Sequence, residues 1–252
     1  MSILDQIITQ KKKEIQELSN VEDAESYDAV SFLSTLEEKR LHLIAEVKHA
    51  SPSKGIIYKN FNPIELAKTF ESSGASCISV LTDEVFFKGH NDYLTAIKKE
   101  VKIPVLRKDF IIDPLQVIET KRIGADIMLL ILDILETNQA NELISVASSL
   151  NLEVLIEIHS PLALKKLENI KIKPIVGINN RDLNTFTLDT NRAIEQSHQI
   201  KKMDKKIKII AESGYSEVNQ MSELDKNNIN GVLIGEGLSK NKKLLDWFKN
   251  EN

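Results

Sequence analysis

The chain has 252 residues, a formal net charge of −4, and 42% hydrophobic and 28% charged residues. This length suits a single α/β barrel, and the mild negative charge argues against a surface that attracts nucleic acid. No apolar run approaches the roughly 20 residues of a membrane span, and the N-terminus lacks the apolar core of a signal peptide. The only cysteine, Cys77, rules out a disulfide framework. We therefore expect a soluble cytoplasmic protein that binds neither nucleic acid nor membrane.

Residues 1–40 are predicted to form a helical N-terminal extension. Ser2 to Leu18 has the pattern of an amphipathic helix, because Ser2 and Asp5 make a capping pair and isoleucines and leucines recur at steps of three and four. A second short helix is indicated by Phe32, Leu33 and Leu36. We expect the apolar stripe to cover part of the protein's own core.

From Leu41 onward, short apolar strands alternate with helical patterns. The strands are predicted to end near Val47, Leu81, Leu106, Leu132, Ile158, Ile178, Ala211 and Ile234. Several helices begin with a capping residue before a proline, at Asn62-Pro63, Asp113-Pro114 and Ser160-Pro161. Continuous apolar strands separated by helices indicate a parallel sheet that is covered on both faces. Eight such units without a Rossmann glycine fingerprint favour a closed (β/α)8 TIM barrel, and we predict one domain over residues 1–252.

Charged side chains occur at the C-terminal ends of the predicted strands, where such a barrel places its chemistry. Glu46 and Lys48 are two residues apart on the first strand and therefore share a face. Lys108 follows the third strand, and Glu157 lies in the fifth. Ionised groups in apolar strands are costly to bury unless they are paired. The four could form a structural ion-pair network, but their recurrence on three strands favours one catalytic mouth.

Glycine-containing pairs follow the last two strands, at Ser213-Gly214 and Gly235-Glu236. Barrels often hold a phosphate at this position on backbone N–H groups. Because a carboxylate would repel a phosphate dianion, Glu236 is expected to point outward, toward a lysine such as Lys240. A Cβ at Gly235 would fill space that the phosphate oxygens need.

Other catalytic patterns are absent from the sequence. The five histidines lack the spacing of zinc ligands, Ser53-Lys54-Gly55 lacks the glycines of a P-loop, and no Gly-x-Ser-x-Gly elbow occurs. Arg181 after the sixth strand would either bind an anion or brace its loop through Asp182. We favour anion binding.

Six short motifs follow one another on successive predicted strands. They are Ile44-Ala45-Glu46-Val47-Lys48 with Ser51-Pro52-Ser53, Leu106-Arg107-Lys108-Asp109-Phe110, Ile156-Glu157-Ile158, Ile178-Asn179-Asn180-Arg181-Asp182-Leu183, Ala211-Glu212-Ser213-Gly214 and Ile234-Gly235-Glu236. Together they closely resemble the indole-3-glycerol phosphate synthase family of tryptophan biosynthesis. The resemblance implies closure of the indole ring of 1-(2-carboxyphenylamino)-1-deoxyribulose 5-phosphate, with release of carbon dioxide and water. It also implies that the protein needs neither cofactor nor metal, and a monomer or weak homodimer is expected.

The resemblance further implies a role for each site residue. Lys108 would be the general acid that protonates the substrate ketone, and Glu157 would assist the later dehydration. Glu46 would hold Lys108 or a substrate hydroxyl, and Lys48 would pair with the anthranilate carboxylate. Asn179 and Arg181 would orient substrate oxygens. The other substrate contacts would be Ser51 in a lid loop, Phe87, Phe110, Leu129 and Leu183 around the aromatic ring, and Glu212 and Ser213. The phosphate would be bound by Ser213, Gly214, Gly235 and Glu236.

This chemistry carries two expectations about pKa values. A second cation at Lys48 and partial desolvation would lower the pKa of Lys108, and apolar neighbours would raise the pKa of Glu157 if they enclose it. Two alternatives stay open. One is an aldolase that forms a Schiff base on Lys108, and the other is a non-catalytic phosphate-binding barrel within a biosynthetic complex.

Overall fold

The computed structural model describes residues 2–18, 27–38, 40–52, 54–182 and 187–250, and its centre is a closed barrel of eight parallel strands. The strands are β1 His42–Val47, β2 Cys77–Leu81, β3 Val105–Lys108, β4 Ile127–Ile131, β5 Glu153–Ile158, β6 Ile175–Asn179, β7 Lys208–Glu212 and β8 Gly231–Ile234. Strand β1 pairs with both β2 and β8, which closes the barrel. The predicted (β/α)8 fold is confirmed.

Helices surround the barrel and connect its strands. They are α1 Ile3–Glu17, α2 Phe32–Thr35, α3 Pro63–Ser72, α4 Glu84–Phe87, α5 Asn91–Glu100, α6 Pro114–Arg122, α7 Thr137–Ser149, α8 Pro161–Leu167, α9 Arg192–Met203, α10 Val218–Lys226, α11 Glu236–Lys240 and α12 Lys243–Asn250. The predicted caps are confirmed, because the side chains of Asn62, Asp113 and Ser160 accept backbone N–H groups at the starts of α3, α6 and α8. No helix among the described residues is both long and apolar enough to cross a membrane.

Three strands extend one or two residues beyond their predicted ends, and this places polar side chains inside the sheet. Strand β3 ends at Lys108, β6 at Asn179 and β7 at Glu212. Asn179 pairs in register with Glu212, and Lys108 pairs with Leu81. The apolar composition alone had suggested earlier ends, whereas pairing with a neighbouring strand continues the ladder.

Alternate residues of each strand fill the barrel interior, because successive side chains on a strand point to opposite faces. The interior is apolar in its lower part, where it contains Ile44, Cys77, Leu106, Ile127, Leu129, Leu155, Ile175, Ile210 and Leu233. The other face of the strands packs under the helices. Near the C-terminal strand ends this interior face carries Glu46, Lys108, Glu157 and Glu212, which therefore lie above the apolar floor.

The N-terminal extension covers both ends of the barrel. Helix α2 lies at the lower end, where Phe32 is fully buried against the interior cluster and its backbone N–H donates to Glu153, the first residue of β5, at 3.1 Å. Helix α1 lies at the opposite end and begins with the predicted capping box of Ser2 and Asp5. Both helices predicted within residues 1–40 are therefore present, and each covers a different end of the barrel.

Candidate active site

A cavity of about 480 Å³ opens at the C-terminal ends of the strands. Its wall includes the predicted site residues Glu46, Lys48, Ser51, Phe87, Lys108, Phe110, Leu129, Glu157, Asn179, Arg181, Glu212, Ser213, Gly214, Gly235 and Glu236. Leu183 lies outside the described residues. The structure thus brings together residues from all eight strands and their following loops, while the role of each residue stays a prediction.

Lys108 lines this cavity between two carboxyl groups. Its Nζ donates to Glu157 Oε2 at 3.1 Å and lies 3.8 Å from Glu212 Oε2. Asn179 Nδ2 donates to the other oxygen of Glu157 at 3.0 Å. Glu157 is therefore held from two sides and in turn orients the Lys108 ammonium group.

The surroundings raise the pKa of Lys108. Burial disfavours its charge, but the nearby carboxylates of Glu157, Glu212 and Glu46 outweigh burial. Lys48, which was expected to repel Lys108, instead forms an ion pair with Glu46. The prediction of a lowered pKa for Lys108 is therefore wrong for this structure, because it counted the neighbouring cation and missed the carboxylates that converge from other strands.

Two buried carboxyl groups, Glu157 and Glu212, share a hydrogen bond and have pKa values shifted in opposite directions. Burial and the neighbouring charge of Glu157 raise the pKa of Glu212 well above its usual range. Burial also opposes ionisation of Glu157, but Lys108 and Asn179 outweigh it and lower the pKa of Glu157. The expectation of a raised pKa for Glu157 is therefore wrong. Glu212 is the protonated member of the pair, because like charges this close cannot both ionise at little cost.

Glycines make room for two of these carboxylates. A Cβ at Gly177, inside β6, would overlap Glu212 Oε1, and a Cβ at Gly235 would overlap the Glu46 carboxylate. Gly235 was predicted to leave space for a phosphate, and the structure adds a second reason within the protein itself. Sequence reasoning missed Gly177, although a glycine in the interior of an apolar strand is a signal of close approach.

The predicted phosphate loops, which contain Ser213-Gly214 and Gly235-Glu236, line another side of the cavity. Glu236 forms an ion pair with Lys240, as predicted, and the hydrogen bond from Lys240 outweighs partial burial and lowers the pKa of Glu236. Ser213 and Gly214 both adopt positive φ, at 66° and 88°. Such backbone is uncommon for serine, and strain of this kind concentrates where the shape of the main chain matters for function.

An apolar wall lines the side of the cavity near β2 and β3. Phe87 and Phe110 lie there with ring centroids 6.1 Å apart. Helix α1 contributes Ile3, Leu4 and Ile7 to the same wall. The α1 stripe was expected to cover part of the protein's own core, and Ile7 is indeed buried. The structure adds that the stripe also lines the cavity.

Arg181 lines the cavity at the end of the sixth unit. Its backbone N–H donates to Asn179 Oδ1 at 3.0 Å, and Arg181 pairs with Leu188 in an isolated antiparallel bridge. The backbone of Arg181 therefore braces the loop through these contacts, and Arg181 also borders the cavity. Its binding of an anion stays a prediction.

Comparison with known proteins identifies the family. The family model described as indole-3-glycerol phosphate synthase matches residues 4–249. The protein of that name from Bacillus pumilus is 44% identical over 239 residues, which cover 94% of each chain. The one from Halalkalibacterium halodurans is 42% identical over 94% of this chain and 91% of its own. The one from Shouchella clausii is 40% identical over 98% and 97%. With matches that span both the extension and the barrel, this chain belongs to the indole-3-glycerol phosphate synthase family.

Proposed function

We propose that this chain is an indole-3-glycerol phosphate synthase, which closes the indole ring of 1-(2-carboxyphenylamino)-1-deoxyribulose 5-phosphate and releases carbon dioxide and water. The observation that carries this proposal is the cluster of Lys108, Glu157 and Glu212 on an apolar floor, between an aromatic wall and glycine-containing loops. The cavity of about 480 Å³ falls within the range typical of small-molecule sites.

The two ends of the substrate match the two sides of the cavity. The carboxyphenyl ring fits beside Phe87 and Phe110, and its carboxylate would pair with Lys48 or Arg181, which both line the cavity. The phosphate fits at the backbone of Ser213, Gly214 and Gly235. Anchoring both ends folds a flexible chain so that the ring carbon approaches the ketone, and such orientation supplies a large part of the rate enhancement in ring closure.

In ring closure, the protonated Lys108 acts as the general acid. The ring carbon that carries the carboxylate attacks the ketone carbon, and Lys108 gives a proton to the ketone oxygen as it becomes a hydroxyl. Carbon dioxide then leaves, and its bonding electrons restore the aromatic ring. The neighbouring carboxylates keep Lys108 protonated before the reaction, so the acid form is the populated one.

Dehydration completes the indole. The new hydroxyl leaves as water after it takes a proton, and a proton leaves the adjacent carbon as the double bond forms. Glu157 and Glu212 supply one protonated and one ionised carboxyl in contact, which is the arrangement that proton donation and removal require. We assign Glu157 to this late step. Glu46 either holds Lys48, as it does here, or a substrate hydroxyl.

The aldolase alternative is weakened by the same electrostatics. A Schiff base needs an unprotonated amine, whereas the carboxylates around Lys108 favour the ammonium form. Borohydride treatment with a phosphosugar ketone would trap Lys108 only if it forms such a bond. A non-catalytic phosphate-binding subunit would give no turnover at all.

The direct test is the appearance of indole absorbance when the purified protein meets the carboxyphenylamino sugar phosphate. Catalytic formation of indole-3-glycerol phosphate supports the proposal, and its absence with folded protein contradicts it. The cytoplasmic location and the monomeric or weakly dimeric state remain predictions. Sedimentation of the purified protein would check the oligomeric state.

A further inference from the structure

Lys11 is a buried charge that none of the proposed catalytic steps uses. It lies on α1 with 2% of its surface exposed, and its Nζ is 2.8 Å from Asp109 Oδ1 and 2.9 Å from Asp83 Oδ2. Glu14 on the same helix completes the contacts at 2.9 Å. A helix outside the barrel therefore inserts a cation between the segments that follow β2 and β3.

Each of the two aspartates also accepts a hydrogen bond from the backbone N–H of a phenylalanine whose ring belongs to the aromatic wall. Asp83 Oδ1 accepts the N–H groups of Phe86 and Phe87, at 2.7 and 3.3 Å, and so caps α4. Asp109 Oδ1 accepts the N–H of Phe110 at 2.8 Å. The ammonium group of Lys11 thus connects the two carboxylates that fix Phe87 and Phe110.

The two buried carboxylates of Asp83 and Asp109 require the ammonium group of Lys11 as a partner. Asp83 is fully buried and Asp109 is 3% exposed, so two unpaired carboxylates here would be costly. Asp109 has a second cation, Arg107, at 3.4 Å, and among the described side chains Lys11 is the ion-pair partner of Asp83. Burial opposes ionisation of Asp109, but Lys11 and Arg107 lower its pKa to about 2.

Lys11 also fixes the position of the α1 residues that line the cavity, here called the α1 wall. Residues four apart on a helix lie on one face, so Ile3, Ile7 and Lys11 form a single stripe. Ile3 and Ile7 line the cavity, whereas Lys11 anchors the stripe one turn further on. Lys11 does not itself line the cavity, and any effect on substrate must pass through the residues that it holds.

We propose that Lys11 is the positioning residue for the aromatic half of the site, which holds Phe87, Phe110 and the α1 wall at the spacing that the carboxyphenyl ring requires. The inference rests on the proposed function for the identity of the ring. It assigns a specificity role in substrate binding to the N-terminal extension.

The test compares Lys11→Met with Lys12→Met, which changes the adjacent, exposed lysine on the same helix. Two ligands are titrated against each variant. One is the substrate with its ketone reduced to an alcohol, which keeps the ring and the phosphate but cannot cyclise. The other is inorganic phosphate. Lys11→Met should weaken binding of the ring-containing analogue by at least about tenfold, because a small misplacement of the groups that contact a ligand has a large effect on its binding. It should leave the affinity for inorganic phosphate unchanged. Lys12→Met should change neither.

Equal weakening of both ligands by Lys11→Met, or no weakening of the analogue, would overturn the proposal. Lys11→Arg keeps the cation and should restore part of the lost affinity for the analogue. If Lys11→Met does not fold, Lys11→Gln carries the same comparison with a neutral group that still donates hydrogen bonds. Turnover of the ketone substrate by the unaltered protein is measured first, so that failure of the proposed function is distinguished from failure of the role of Lys11.

Discussion

Two buried clusters of charge lie a few residues apart in this barrel, and they are built differently. The mouth cluster consists of Glu46, Lys48, Lys108, Glu157 and Glu212, and all five residues line the cavity. The rim cluster consists of Lys11, Asp83, Arg107, Asp109 and Glu119, of which only Asp109 lines the cavity. Both combine carboxyl groups with cationic side chains, and the environment of each cluster decides what its charges do.

The rim cluster satisfies its charges with several fixed partners. Arg107 donates to Glu119 at 2.7 Å, to Thr120 at 2.9 Å and to Thr82 at 3.1 Å. Thr82 in turn donates to Asp109 at 2.6 Å. Groups held in this way favour one protonation state and one geometry, which suits a structural support.

The mouth cluster has more carboxyl groups than ammonium groups. It has three carboxyl groups for two lysines, and Glu212 Oε1 has no hydrogen-bond partner among the described residues. Asp83 Oδ2 in the rim cluster also lacks a hydrogen bond, but it lies 2.9 Å from Lys11 Nζ. Burial and the neighbouring charge of Glu157 both raise the pKa of Glu212. The carboxyl groups around Lys108 keep that lysine protonated. A site that must move protons needs groups whose pKa values are pushed apart, and the mouth cluster provides them.

The largest effect is expected from Lys108→Ala, which removes the cation at the centre of the mouth cluster. We expect kcat to fall by at least about 10²-fold, the low end for general acid catalysis, with a smaller change in KM. Steady-state kinetics would check this, with Lys102→Ala as a control on an exposed lysine. A variant with near-normal kcat would remove Lys108 from the role of the acid.

Glu157→Gln and Glu212→Gln separate the two members of the carboxyl pair. Glu157→Gln should lower the rate of indole formation by about 10²-fold and let a decarboxylated intermediate accumulate in a single turnover, because Glu157 is assigned to dehydration. Glu212→Gln should also slow dehydration, but less, because a neutral amide keeps the hydrogen bond to Glu157 although it cannot give up a proton as the protonated carboxyl does. If carbon dioxide release slows as much as indole formation in Glu157→Gln, that residue acts earlier or only holds Lys108.

Substitutions at the phosphate loops should have intermediate effects. Gly235→Val should raise KM by at least about tenfold, and it should also lower kcat because the new side chain displaces Glu46. Glu236→Gln should change KM little, since its partner Lys240 is largely exposed and exposed ion pairs contribute little. Similar KM effects from the two substitutions would place the phosphate elsewhere.

The smallest effect concerns stability in acid and tests the rim cluster. The pKa of Asp109 is about 2 in the folded protein, below its ordinary value of 3.8. Because the folded pKa is depressed, its stabilisation is fully present above about pH 4 and is lost as the pH falls toward 2, with a size of about 2 kcal/mol. Asp109→Asn should therefore be less stable at neutral pH and should show a flatter acid limb in urea unfolding. Parallel pH profiles for the two proteins would contradict this account.

The sequence by itself predicted much of this architecture. Alternation of apolar strands and capped helices indicated the barrel, because local periodicity reports which face of each element is buried. The rule that barrel chemistry lies at C-terminal strand ends then predicted that Glu46, Lys108 and Glu157 would share one cavity. Both inferences depend on information that lies within a few neighbouring residues.

Only the tertiary structure decided how those residues behave. The pKa values of Lys108 and Glu157 are shifted against expectation, because the dominant neighbours of each come from distant parts of the chain that strand register brings together. Gly177 leaves space for Glu212 across the β6–β7 pair, and Lys11 connects aspartates that lie some 70 and 100 residues further along the chain. Charge interactions depend on distance and burial in three dimensions, and neither quantity is readable from the order of residues alone.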